Sequence, residues 1–320
     1  ALRKVREILR YLPDSNANAP EVQACSDPIY RSTSDIDTLL RTAFESRTGF
    51  NTPVESSIII QQLCDHGDFI EIQEERAKNT ITCLGRIGGH VVGFVANNSA
   101  VSSGQIDTDA ALKNARFIRF CNLYNIPVMF LEDTTGFLPG REQEHRGIVQ
   151  AGRAMLDAIV DLRTPRFLIL IRNAFGGAYA SYNNYPTGAD LVVALPTTRV
   201  AVMGPAGVEY VYKDELKAIR AAIPQRIADA KSDLINQGVS GADADQQASA
   251  AVSEWANAAE ADLAKRYERE IMNPEEALSL GSVSQIVMPS DLRAVIAKHL
   301  MFCLRHYTPG PMGGVQREFH

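Results

Sequence analysis

The sequence predicts a layered α/β core followed by a mainly helical C-terminal region. Apolar runs at Pro127–Leu131 and Arg166–Ile171 are continuous rather than alternating, as in strands covered on both faces. Each run leads into a glycine-bearing loop and then a helical pattern, the repeat of strand–loop–helix units with short connections. Later in the chain, Leu216, Ile219, Ile223 and Ile227 recur at spacings of three and four residues, despite Pro224, which reads as helix.

Taken in order, residues 1–12 form a short helix that Pro13 stops, and the polar, Pro/Asn-rich residues 13–30 form a surface connection. Helical patches follow from Asp35 to Asp65, including Ser56–Leu63, and Asp68–Ile72 reads as a short strand. Ile81–Ile87 and Val91–Asn97 flank Gly88-Gly89 as a β-hairpin. Asp109–Tyr124 is an amphipathic helix with Leu112, Ala115, Ile118 and Leu123 near helical spacing. The strand Pro127–Leu131 gives way to a loop, Glu132–Gly140, and a helix, Gly147–Asp161. The strand Arg166–Ile171 precedes a Gly-Gly turn and another helix, and Asp190–Leu195 and Arg199–Met203 close the sheet. Residues 236–262, rich in Ala, Asp, Gln and Ser and carrying the only tryptophan, Trp255, read as one long helix or two with a break near Gly238–Gly241.

With 320 residues, 45% hydrophobic and 22% charged, the chain can bury a sizeable core as one large domain or two ordinary ones. A net charge of −6 gives no general attraction to nucleic acid or anionic membrane, while leaving room for a local basic groove. Five scattered cysteines without a CxxC pair exclude a zinc ribbon or a redox motif and point to a reduced, cytoplasmic setting, or a mitochondrial matrix if the source is eukaryotic. The N-terminus is charged and helical-looking, not a signal peptide, and no apolar run reaches membrane-spanning length. The chain begins with Ala rather than Met, so it is either processed or a piece of something longer.

The stretch from Leu168 to Ala180 carries the most chemistry. A buried strand ends and a helix begins across Gly176, Gly177 and Ala178. Glycine lets a ligand approach the backbone, the first N–H groups of a helix have no partner inside it, and the helix dipole adds positive potential. Two such N–H groups can hold a developing oxyanion; the same turn also suits a plain strand–helix connection. A second loop, Leu131–Gly140, follows the other buried strand, with Gly136 and Gly140 framing Phe137-Leu138-Pro139, and Ala201–Gly207 is a third. Ligands of open α/β sheets sit beyond the carboxyl ends of strands. No P-loop, dinucleotide fingerprint, nucleophile elbow or HExxH motif is present. His145 reads as a lone surface histidine and Cys121 as core. Glycine loops without a side-chain nucleophile suggest chemistry carried by a cofactor.

These blocks together resemble the C-terminal domain of the carboxyltransferase (beta) subunits of biotin-dependent acyl-CoA carboxylases, propionyl-CoA carboxylase beta among them. The resemblance rests on Gly104–Asp107, Lys113–Cys121, Asn125–Pro127, Asp133–Gly140, Ala174–Tyr179, Ala201–Gly204, and Asn273-Pro274 with Gly281, and spans residues 1–215 and 265–300. It implies a crotonase-type (ClpP/crotonase) β-β-α superhelix, with residues 1–75 as linker and helical lead-in and residues 76–320 as the domain, carrying a helical insertion near 220–262. It implies transfer of a carboxyl group between carboxybiotin and the α-carbon of an acyl-CoA, with no metal. The N–H groups of Gly177 and Ala178 would hold the ureido oxygen of biotin, whose ureido nitrogen takes the α-proton, so no protein base is required. Gly136, Phe137, Leu138, Pro139, Gly140, Phe175 and Gly176 would border biotin. Tyr179 and Ala180 would meet the acyl substrate, the small Ala180 favouring an acyl group larger than acetyl.

Family members place a related N-terminal domain before this one, with the other oxyanion hole and much of the CoA site. The chain would thus hold half of an active site, and its expected partners are an N-terminal carboxyltransferase domain or subunit, the biotin carboxyl carrier, biotin carboxylase and further copies of itself. The alternatives are a carboxyltransferase subunit of a glutaconyl-CoA decarboxylase-type enzyme, a non-catalytic assembly module, and a crotonase-type hydratase or isomerase using Glu132 and Asp133.

Overall fold

Gly88 and Gly89, both at positive φ, turn the chain between β2 (Thr80–Ile87) and β3 (His90–Asn97), an antiparallel hairpin in register from Thr80↔Asn97 to Ile87↔His90. The computed structural model describes residues 2–311. Ahead of the hairpin lie α1 (Leu2–Leu9), α2 (Ser34–Glu45), α3 (Ser56–Leu63) and β1 (Phe69–Glu71). After it come α4 (Thr108–Leu123), β4 (Val128–Thr134), α5 (Arg141–His145), α6 (Ile148–Val160), β5 (Arg166–Phe175), α7 (Gly176–Ser181), β6 (Leu191–Ala194) and β7 (Arg199–Ala201). The chain continues through α8 (Val208–Val211), α9 (Lys213–Asn236), α10 (Gly241–Glu270), α11 (Pro274–Ser279), β8 (Gln285–Ile286) and α12 (Leu292–His306). The last nine positions of the expected domain, 312–320, lie outside the described residues.

The strands form one sheet in the order β1-β2-β3-β4-β5-β6-β8, with β7 pairing β5. β1, β2 and β3 are antiparallel; β3, β4, β5, β6 and β8 are parallel. Side chains alternate across it. Phe130, Leu168, Leu170 and Val192 join Ala115, Ile118, Met155 and Ala158 of α4 and α6 in one core cluster. Met129, Leu131, Phe167 and Ile169 join Leu40, Ile60 and Ile296 of α2, α3 and α12 in the other. Helices on both sides explain why the strands read as unbroken apolar runs.

Three expectations needed correction. The loop expected from Glu132 begins later, because β4 continues through Glu132, Asp133 and Thr134, where Glu132 pairs with Leu170 and Thr134 with Ala174. For the same reason β5 runs past Ile171 to Phe175. In α4 the expected face is displaced: Leu112 and Leu123 are exposed, while Lys113 and Asn114 are buried. The Lys113 ammonium donates to the carbonyls of Arg76 and Thr80, and the Thr80 hydroxyl donates to Asn114.

The described residues divide into two units, 2–200 with 274–311, and 201–273. The lead-in belongs to the first unit through the fully buried Arg293 of α12, whose guanidinium donates to Asp65 at 2.7 Å and to the Leu63 carbonyl. In the second unit α9 and α10 form a hairpin, and α10 buries Ala244, Ala248, Val252 and Ala256 at four-residue intervals. Pro224 sits inside α9 without ending it. Arg226 stacks 3.8 Å above the Trp255 ring centroid, and Tyr267 donates to the Met203 carbonyl at 2.8 Å.

Candidate active site

The site is built at the carboxyl ends of β4 and β5. Asp133 and Arg172, just past the apolar run of each strand, clamp these ends together. Two guanidinium nitrogens of Arg172 donate to one Asp133 oxygen at 3.1 and 2.7 Å, and the Asn173 N–H reaches the other at 3.2 Å. Arg172 also donates to the Thr52 carbonyl and to Ser99, so this buried pair is fully hydrogen-bonded. Gly104 lies against this clamp at φ +66, and an added Cβ would sit 2.5 Å from the Asp133 carbonyl oxygen.

Beyond β4 the chain becomes an open loop. Gly136 accepts from Ile106 N–H at 3.0 Å and Leu138 N–H donates to the Ile106 carbonyl at 2.9 Å, a short parallel bridge that fixes the Phe137 backbone. Gly136 and Gly140 have φ of +141° and +124°, so both positions demand glycine. Pro139 and Gly140 are exposed, and Phe137 and Leu138 are half-buried.

Beyond β5 the helix starts at once. Phe175 caps the strand in extended backbone, buried beneath the Arg199 guanidinium. Gly176 has φ +55°, which allows the abrupt turn. Gly177 differs: a Cβ there would meet nothing within 4 Å, so packing does not require glycine, and the residue faces solvent. Ala178 is 1% exposed, its methyl held in the core on the α4–α6 side of the sheet. The N–H groups of Gly177 and Ala178 are in the first turn of α7 and have no acceptor within the helix. At the last residue of α7 the Ser181 hydroxyl donates back to the Gly177 carbonyl at 2.7 Å. Ala180 is exposed. Tyr179 is half-buried and donates to the Ser282 carbonyl at 3.4 Å; burial chiefly, with the nearby Glu132, pushes its hydroxyl up to about 12. Phe137 and Ser181 line the same cavity, which brings the two strand-end segments together.

The other acids are not available to a ligand. Glu132 is 0% exposed, on the sheet face that carries Phe130 and Tyr182, and neither carboxylate oxygen has a hydrogen-bond partner. Burial, reinforced by the Asp133 charge, drives its carboxyl well above the usual range, which favours the neutral form. His145 is an exposed residue of α5, and Cys121 is buried in the core with its thiol pushed up by burial. Among the described residues no group of His, Cys, Asp and Glu could hold a metal ion. No helix among them is long and apolar enough to cross a membrane. Sequence reasoning did not find Arg172 as the partner of Asp133; a lone arginine ending an apolar strand was the available signal.

The model of the carboxyl transferase domain matches residues 1–307. The chain is 34% identical over 295 residues to the carboxyltransferase subunit of propionyl-CoA carboxylase from Haloferax mediterranei, covering 92% of this chain and 49% of that one. It is 35% identical over 311 residues to the beta5 subunit of a biotin-dependent acetyl-/propionyl-coenzyme A carboxylase from Mycobacterium tuberculosis, covering 96% and 51%. Over 224 residues it is 38% identical to the alpha subunit of methylmalonyl-CoA decarboxylase from Veillonella parvula, covering 69% and 43%. Transcarboxylase 12S with methylmalonyl-coenzyme A and methylmalonic acid bound superposes with a TM-score of 0.77 at 26% identity, over 99% of this chain and 53% of that one. The fold shared with this neighbour is the crotonase-like one expected from the resemblance. The chain spans about half the length of the curated relatives it matches.

Proposed function

The chain belongs to the carboxyl transferase domain family, and on that premise we propose that it supplies the biotin-side half of an active site that moves a carboxyl group between carboxybiotin and the α-carbon of an acyl-CoA. One observation carries the reading. At a solvent-facing strand end, two consecutive backbone N–H groups, of Gly177 and Ala178, have no acceptor in their helix, and Gly177 leaves the approach to them open. Such donors stabilise charge that develops on a bound oxygen.

The residues present suit a ureido group. The donors are paired, no Cβ stands over Gly177, and the Gly136–Gly140 loop supplies an apolar border through Phe137 and Leu138. When bound, biotin brings the carboxyl group to be moved. The work of this chain is to hold negative charge at the Gly177 and Ala178 nitrogens and to shield that point from water with the Phe137 loop. At the strand ends it offers no carboxylate to abstract the α-proton, because Asp133 is tied to Arg172 and Glu132 is enclosed, with its carboxyl pushed towards the neutral form. That absence argues against a hydratase or isomerase. Ala180, small and exposed, leaves space for an acyl group larger than acetyl.

An N-terminal carboxyltransferase domain, a biotin carrier with its carboxylase, and further copies of the chain are the partners this reading requires, in a cytoplasmic setting that matches five free thiols. The likeness to the methylmalonyl-CoA decarboxylase subunit keeps a second reading, the same half-reaction run towards decarboxylation. A crystal soaked with biotin tests the site. The ureido oxygen is expected about 3 Å from both nitrogens; biotin seated elsewhere overturns the assignment.

A further inference from the structure

Next to the candidate site runs a cavity of about 300 Å³ whose walls come from the two strand-end segments. Phe137 of the β4 loop forms one wall and Ser181, the residue after Ala180, the other. Its floor is α6, where Ile148, Gly152 and Leu156 stand four residues apart in one stripe. The core-facing side of α6 is a different set, Ala151, Met155, Ala158 and Ile159. The helix is therefore apolar on two faces, and the second is only partly covered, the Phe137 ring lying over Gly152. Val149, beside the stripe, is 75% exposed. A contiguous apolar surface of this kind, bordering a polar reaction point, is the usual make-up of a ligand pocket.

Gly152 keeps the trench open. A Cβ there would lie 3.3 Å from Phe137 Cε1 and 3.4 Å from Cζ, so any side chain would push the ring and fill the floor. The lining offers little to a polar ligand. The Ser181 hydroxyl is committed to the Gly177 carbonyl, and Arg153, at the rim, pairs with Asp157. Ser181, at one wall, directly follows the exposed Ala180 in α7, the helix whose first turn carries Gly177 and Ala178.

We propose that this groove receives the hydrocarbon end of the acyl group, so that the substrate class is acyl-CoA with an apolar chain longer than propionyl. The assignment rests on the carboxyl-transfer reading of the same site. Gly152 and Ser181 are then specificity-determining residues, setting depth and width for the tail.

The test uses the complete enzyme, this chain with its N-terminal carboxyltransferase partner and carrier, and compares kcat/KM for straight acyl-CoAs from propionyl to octanoyl. Each methylene buried in the groove should raise kcat/KM about fourfold until the groove is full, giving an octanoyl-to-propionyl ratio above 10. Gly152→Leu fills the floor and Ser181→Leu the wall, and each should lower that ratio at least tenfold; the second stands in if the first does not fold. A flat or falling length series, or filled variants that keep the wild-type ratio, overturns the proposal. Decarboxylation of methylmalonyl-CoA with free biotin needs no long tail and separates the two levels. Activity there with a flat series removes the groove alone, and no activity with any thioester removes the carboxyl-transfer reading and the groove with it.

Discussion

The ends of β4 and β5 lie side by side in the sheet and use glycine for two different purposes. Past β4, Gly136 and Gly140 have positive φ in open space; they are glycines because of the backbone they must adopt. Past β5, Gly176 serves the same need, while Gly177 is free of both steric and packing constraint and lies at the proposed anion site. One loop is held by two backbone bonds to Ile106, and the other is a helix start whose N–H groups remain available. In the proposed site the segment held by its neighbours is a wall, and the segment with unspent donors is the reaction point. What joins them is the Asp133–Arg172 clamp at 2.7 Å, with both side chains almost wholly buried.

Breaking that clamp tests whether the two ends are one structure. Arg172→Ala leaves Asp133 buried without its guanidinium partner and should cost about 3–5 kcal/mol. In a unit of this size that is a fall in Tm on the order of 10 °C, read by thermal unfolding. Asp133→Ala should behave alike, and the double replacement Asp133→Leu/Arg172→Met should recover most of the loss, because no lone charge remains. A fall below about 1 kcal/mol for either single variant would show that the ends are held independently.

The next largest effect should fall on chemistry and leave stability alone. Gly177→Pro deletes one donor of the proposed pair. Proline is tolerated in the first turn of a helix, and open space surrounds Gly177. Removing one oxyanion-hole donor costs about 10²–10³ in kcat elsewhere, so biotin-dependent turnover by the complete enzyme should drop by that order while Tm shifts little. Unchanged turnover would mean that the charge is held at another point.

Much of this was legible in the sequence. Continuous apolar runs gave the doubly covered strands, the Gly-Gly pair gave the hairpin, and Ser56–Leu63 is a helix as read. The glycine loops and their place at strand ends were visible because glycine marks backbone need directly. What stayed hidden was long-range. Glu132, Asp133, Arg172 and Asn173 look like loop residues when read locally, yet they extend the strands, because cross-sheet pairing and the ion pair satisfy them. The two-residue β8 carries no period of its own and joins the sheet only beside β6. The second apolar stripe of α6 was hidden as well, since helical spacing says that a face exists without saying what covers it.

Glu132 and Asp133 sharpen the comparison within one strand. They are consecutive, so they point to opposite faces. Asp133 meets Arg172, while Glu132 meets the enclosed side of the sheet near Tyr179 and Tyr182 with no hydrogen-bond partner. Burial holds the Glu132 proton, and its folded pKa stands well above the ordinary value of 4.5. In the unfolded chain the same carboxyl ionises near that ordinary value. Between the two values the unfolded state has released a proton that the folded state keeps, so stability falls as pH rises, by at most about 1.4 kcal/mol per pH unit. Glu132→Gln removes the titration while keeping the shape. Its advantage over the parent protein should therefore be absent below about pH 4 and widen between pH 5 and 7, whatever fixed offset the unpartnered amide adds. Parallel stability curves from pH 5 to 7 would show that Glu132 ionises freely in the folded chain, and the contrast between the two neighbouring carboxyls would then rest on position alone.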